Sequence, residues 1–200
     1  GNLWISRWTD INVKRPDKDD LVASGNDVPV MTSLFNDVKG EVLGLSHESK
    51  IYRLSCADGR ITCELKGSVS SLLEKEEVNS VCIDREGRLW LNTTLGRILR
   101  SDETMHKFEN VSLDNEIDDC TVLGLLSDKN SVWIITNKKV LQYNIDSQTF
   151  QHYSTADDNI MVDVFRYKAI SLDGWGGLYV GGHRGFIHIR PVNASVVNRA

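Results

Sequence analysis

The sequence predicts an all-β chain of repeated four-stranded antiparallel sheets, and three observations predict it. First, residues 80–100 read as strand, turn, strand, turn, strand. Val81 and Ile83 alternate with Ser80, Cys82 and Asp84, the period of a half-buried strand. Asp84-Arg85-Glu86-Gly87 supplies a tight reversal, since Asp bonds the backbone two residues on and Gly tolerates positive φ. Leu89-Trp90-Leu91 is a second apolar strand, and Thr94-Leu95-Gly96 turns the chain into Ile98-Leu99. Second, the unit recurs: nine residues separate Val81 from Trp90 and Ile170 from Tyr179, and six separate those rings from Gly96 and Gly185. Third, one aromatic anchor per copy, Trp4, Tyr52, Trp90, Trp133 and Tyr179, falls at steps of 48, 38, 43 and 46 residues. One meander cannot bury its own faces, and four short strands repeating at roughly 40–50 residues are β-propeller blades.

In chain order the expected blades are 1–34, 42–73, 80–111, 120–153 and 167–190, about four to five in all. With strands labelled A to D from the hub outward, residues 2–6 read as a B strand and 11–14 as a C strand. Residues 15–27, polar and punctuated by Pro16 and Gly25, read as a loop, so 28–34 is expected to supply the outer strand. The second blade runs through 43–46, 51–55, 61–64 and 69–73, with Tyr52 as its anchor; 72–77 has room for only a brief helical turn. The third adds 107–111 to the opening stretch. The fourth is 122–127, 132–136, 140–145 and 150–153. A polar approach at 157–163 leads to the last, at 168–172, 178–181 and 186–189. No domain boundary interrupts the series. Anchors that repeat in every copy serve blade-on-blade packing.

Several residues carry a resemblance. Asp-x-x-Gly-x-Leu-Trp-(Ile/Leu)-x-Thr-x-x-Gly-(Ile/Leu), with Tyr143-Asn-Ile-Asp-Ser-Gln-Thr-Phe150-Gln-His-Tyr153, resembles the two-component-regulator propeller repeat. That repeat builds the periplasmic sensor region of hybrid two-component histidine kinases from saccharide-degrading gut bacteria. Phe165-Arg-Tyr-Lys-Ala169, Gly177-Leu-Tyr-Val-Gly-Gly182, Gly185-Phe186 and Pro191 are similar to the last blade of the second propeller in those sensors. The resemblance implies a fragment of a seven-bladed propeller, followed in the parent protein by an immunoglobulin-like domain and a membrane helix. It also implies an oligosaccharide ligand, a periplasmic location and no catalysis in this segment. A broken ring exposes sheet edges, so the fragment is expected either to form a homodimer that covers them or to be marginally stable.

A formal charge of −5 argues against nucleic acid or an anionic membrane as partner, because both reward clustered Lys and Arg. The four cysteines, Cys56, Cys63, Cys82 and Cys120, show no zinc spacing. Cys56 and Cys63 flank one hairpin turn and could pair, although free thiols are the commoner outcome. Asp17/Asp19/Asp20, Asp118/Asp119 and Asp157/Asp158 lack the calcium-loop pattern, so neither metal nor cofactor is expected. Glycosylation sequons begin at Asn92, Asn110 and Asn193.

Trp8 and Trp175 do not repeat, and so are candidates for a saccharide stacking platform or a partner contact. In a four-stranded meander the A–B and C–D turns share one end and the B–C and D–A turns the other. Trp175, in an A–B turn, therefore cannot share a site with His183 and Arg184 in a B–C turn. The second end is the usual binding face of propellers. The expected ligand group is His183, Arg184 and Arg166 with Asn137, Lys138, Asp118 and Asp119. A generic interaction scaffold is the alternative. A sialidase-like or lyase propeller is a weaker one: Asp-x-x-Gly-x-x-Trp is a turn device, the arginines fall mostly in turns, and nucleophile and zinc-protease motifs are missing from the sequence.

Overall fold

Alternating apolar residues and Asp- or Gly-bearing turns give five antiparallel sheets among the residues described, which are 1–111, 120–154, 165–183 and 185–190 of a computed structural model. The chain divides into two compact units, Gly1–Val111 and Ser112–Ala200. The sheets are up-and-down meanders of the β-propeller blade type.

In the first unit, β1 (Leu3–Ser6), β2 (Ile11–Lys14) and β3 (Leu21–Ala23) form a three-stranded sheet. A four-stranded sheet follows: β4 (Met31–Asn36), β5 (Val42–Ser46), β6 (Lys50–Ala57) and β7 (Arg60–Ser68). The third sheet is β8 (Val78–Ile83), β9 (Leu89–Thr93), β10 (Ile98–Ser101) and β11 (Phe108–Asn110). In the second unit, β12 (Val122–Ser127), β13 (Ser131–Thr136), β14 (Lys139–Asn144) and β15 (Thr149–Ser154) form one sheet. β16 (Phe165–Leu172), β17 (Leu178–Gly182) and β18 (Gly185–Ile189) form another.

Three strand assignments change. The outer strand of the first sheet is Leu21–Ala23, not 28–34; Val13 pairs with Val22 inside the stretch expected to be a loop. Residues 31–36 instead open the second sheet, because Asp37-Val-Lys-Gly40 is its first turn. Asp37 Oδ1 accepts the amides of Lys39 and Glu41, both at 2.8 Å, and Gly40 has φ +79°. Every later strand of that sheet moves one place outward. Tyr52 thus lies on the third strand, and Leu43 on β5 holds the place that Trp90 holds on β9. Residues 69–73 are not a strand: Val69 and Leu73 are buried on either side of a 3₁₀ turn, Ser70–Leu72.

The anchors differ in burial. Trp90 and Trp133 are fully buried, Trp4 and Tyr52 half-buried, and Tyr179 remains 38% exposed. Each fully buried large apolar side chain contributes about 1.5–3 kcal/mol. One core of the first unit gathers Leu43, Leu45, Ile51, Leu89 and Leu91, and another Ile11, Val13, Met31 and Ile61. In the second unit Trp133, Ile135 and Val140 of one sheet pack with Phe165, Leu178 and Val180 of the next. Cys56 and Cys63 are free thiols, since β6–β7 register sets Cys56 opposite Ile61 and Cys63 opposite Leu54.

Candidate functional site

The first turn of each four-stranded sheet, and of β16–β18, is built on an aspartate. Asp84 Oδ1 accepts the amides of Glu86 and Arg88 at 3.0 Å, and its Oδ2 accepts the Trp90 indole N–H at 2.8 Å. Asp128 repeats this with the Asn130 and Ser131 amides at 2.8 Å and the Trp133 indole at 3.0 Å. One carboxylate thereby closes the turn and pins the anchor ring, both in the Asp-x-x-Gly-x-x-Trp pattern at Asp84 and in the shorter, glycine-free Asp128-Lys-Asn-Ser-Val-Trp133.

The turn between β16 and β17 uses the same device to different effect. Asp173 Oδ1 accepts the Trp175 amide at 2.7 Å and the Gly177 amide at 2.9 Å. Oδ2 accepts from His188 Nε2 at 2.7 Å, and the His188 ring stacks on Tyr179 with centroids 4.1 Å apart and planes 12° from parallel. These donors, the Trp175 amide first and His188 next, hold the Asp173 carboxyl below its ordinary pKa. Gly174 and Gly176 take φ +80° and +90°, conformations that strain any side chain. The backbone of Trp175 is therefore fixed while its indole is 93% exposed.

Beside that indole lies a cleft of about 820 Å³ within the second unit. Its far wall is the outer part of the β12–β15 sheet. Trp133, Gln142 and Gln151 lie opposite one another across β13, β14 and β15, as do Ser131, Asn144 and Thr149. Gln142 is locked, its Nε2 donating to Ser131 Oγ at 2.8 Å and its Oε1 accepting from Tyr153 Oη at 3.2 Å. Burial pushes the Tyr153 phenol up. Asn144 Oδ1 accepts the Asp146 and Ser147 amides at 3.0 Å, which turns the chain toward Thr149. Gln151 and Trp175 complete the rim. The cleft is concave, polar-walled and faced by one aromatic plate, in the size range of small-molecule sites.

This cleft is at the A–B and C–D end of its sheets. Of the residues expected to bind ligand at the other end, Asn137 and Lys138 lie in the β13–β14 turn and His183 in the β17–β18 turn. Asn137 Oδ1 is taken up by the Thr121 amide at 3.0 Å. Arg166, exposed on β16, follows Phe165, which pairs with Gly182. Arg184, Asp118 and Asp119 lie outside the described residues, as do Asp157, Asp158 and the 157–163 approach. Trp8 is 91% exposed in the first unit. Sequence reasoning singled out Trp175 but missed Gln142, Asn144 and Gln151. Their signal was polar residues at alternate positions, Gln142 and Asn144 beside the buried Leu141 and Tyr143 on β14, and Gln151 between Phe150 and Tyr153 on β15.

The first unit carries a smaller cleft, about 250 Å³, at the corresponding edge of its third sheet. There Trp90, Arg100 and Glu109 lie opposite one another. Arg100 sits over the indole at 5.3 Å and pairs with Glu109.

This is the architecture of a propeller segment with a ligand-sized cleft at one end of its blades. No protein-family model and no curated protein sequence matches the chain. Solved structures do. The extracellular domain of the hybrid two-component system BT4673 from B. thetaiotaomicron matches at 20% identity and TM-score 0.65, over 94% of this chain and 26% of that one. YCF48 bound to D1 peptide matches at 19% identity and TM-score 0.65, over 94% of this chain and 60% of that one. A catalytically inactive virginiamycin B lyase from Staphylococcus aureus matches at 16% identity and TM-score 0.53, over 96% of this chain and 67% of that one. The chain thus spans about a quarter of the length of the first and 60% of the second, and the likeness shows the propeller fold. Among the described residues, no helix is long and apolar enough to cross a membrane.

Proposed function

We propose that this chain is the ligand-binding propeller segment of an extracytoplasmic two-component sensor, and that it recognises an oligosaccharide released from a polysaccharide. The observation that carries the reading is the exposed Trp175 indole, held by a braced turn at the lip of a polar cleft of about 820 Å³. An aromatic plate beside hydrogen-bonding side chains suits a ligand with an apolar ring face and a polar periphery. The repeat motif and the fold shared with the BT4673 extracellular domain support the sensor context. The segment is non-catalytic and periplasmic in this reading. Binding shifts the placement of propeller domains, in a homodimer joined through an immunoglobulin-like domain and a membrane helix to a cytoplasmic histidine kinase.

Calorimetric titration of the chain with plant and host oligosaccharides tests the proposal. At least one is expected to release heat on binding, and Trp175→Ala is expected to weaken it about tenfold or more, roughly 1.4 kcal/mol. A folded chain that binds no glycan, but does capture a protein, is an interaction scaffold instead. New reducing or unsaturated ends in the glycan after incubation mean an enzyme.

A further inference from the structure

We infer that the cleft beside Trp175 is built for an uncharged saccharide, laid by one ring face against the indole, and selects against acidic sugars. The inference rests on the oligosaccharide reading above and names the chemistry of the sugar. The reason is where the charges go. Asp128 is the one carboxylate among the described lining residues, and its oxygens are already engaged by two backbone amides and the Trp133 indole. Among the described residues that line it there is no arginine, and the one cation is Lys129, on an exposed turn. A carboxylate ligand is held best by the fork of an arginine. A lysine on a solvated turn is a screened point charge.

What remains is neutral. Gln151 presents a carboxamide, Asn144 its amide N–H donors (its Oδ1 being held by the Asp146 and Ser147 amides), and Ser147 and Thr149 present hydroxyls bonded to each other at 2.7 Å. The carboxamide and the hydroxyls each both donate and accept, as sugar hydroxyls do. The third sheet gives the contrast. Positions that correspond across its strands carry Arg100 and Glu109 where this sheet carries Gln142 and Gln151. The scaffold accommodates charge at these positions, and beside Trp175 it has amides instead. The braced turn fixes the backbone that carries the platform before binding, so ordering is spent on the indole's rotamer and not on the turn.

The test is calorimetric titration of the chain with neutral probes (cellotetraose, mannotetraose and galactotetraose) and with tetragalacturonate, in about 50 mM and about 500 mM salt. A neutral probe is expected to bind with affinity unchanged, within about twofold, by salt. Trp175→Ala, at an exposed side chain, is expected to weaken it about tenfold, and Gln151→Ala about fivefold. Binding of tetragalacturonate alone, lost at high salt or in Lys129→Ala, overturns the selectivity and leaves the sensor reading standing. A neutral probe that binds equally well to Trp175→Ala is held elsewhere and also overturns it. Failure of every probe overturns the inference together with the reading beneath it.

Discussion

Asp84 is 1% exposed, yet it is surrounded by donors: two amides, the Trp90 indole, and Arg88 Nε at 2.8 Å. Asp84→Ala leaves the Trp90 indole N–H and the Arg88 Nε–H without their acceptor, although Arg88 keeps Glu86 at 2.8 Å, so a loss of about 2–4 kcal/mol is expected. Asp37 closes the corresponding turn through two amides alone, so Asp37→Ala is expected to cost about 1 kcal/mol. Urea unfolding followed by tryptophan fluorescence measures both, and equal losses would mean that the indole clasp adds nothing. Asp173 extends the same chemistry to pH. Its folded pKa is depressed, by the Trp175 amide first and by His188 second. Its contribution is therefore present above the unfolded carboxylate value, about 3.9, and is lost as pH falls through the lower folded value. Glycan affinity should hold from neutral pH down to that range and then collapse with the turn. In Asp173→Asn the acid step should disappear; a step that persists there belongs to another group.

Strands and turns repeat, so the informative places are those where one element closes on another. Gly67 on β7 is one. A Cβ there would collide with the Met105 carbonyl oxygen and lie 3.2 Å from its carbonyl carbon, and backbone cannot swing aside as a side chain can. Gly67→Ala is expected to destabilise by about 1–3 kcal/mol in urea, and full tolerance would show that β7 can withdraw from the turn carrying Met105. The repeat itself was legible because Trp90, Trp133 and Tyr179 follow an aspartate at nearly fixed distance. The second sheet was misread by one strand because its anchor is Leu43. An apolar residue of that kind has no polar handle for the aspartate, while Leu43 and Tyr52 happen to reproduce the nine-residue spacing. β3 escaped because three residues cannot display a period. Trp175 stood out in sequence by failing to repeat. The cleft did not, since its far wall comes from strand register and from where two sheets part, neither of which any single segment encodes.

At the scale of the whole chain, repeat architectures spread stability over neighbouring sheets rather than pooling it in one centre. Each of the three described core clusters draws its residues from one unit alone: two lie within Gly1–Val111 and one within Ser112–Ala200. Damage to a cluster should therefore be felt locally. Leu178 is fully buried with Trp133, Ile135 and Val180 in the cluster of the second unit. Leu178→Ala removes three carbons from that core, at an expected cost of about 2–5 kcal/mol. Native-state hydrogen exchange should then show β12–β14 and β16–β18 opening faster by the factor corresponding to that loss, while β4–β10 keep their protection. The Trp175 turn is framed by Leu172 and Leu178 at the ends of β16 and β17, so glycan affinity should fall with the same substitution although no contacting group has changed. If protection drops equally in both units, the chain unfolds as one cooperative body, and the cleft's stability is set by every sheet rather than by the two that form it.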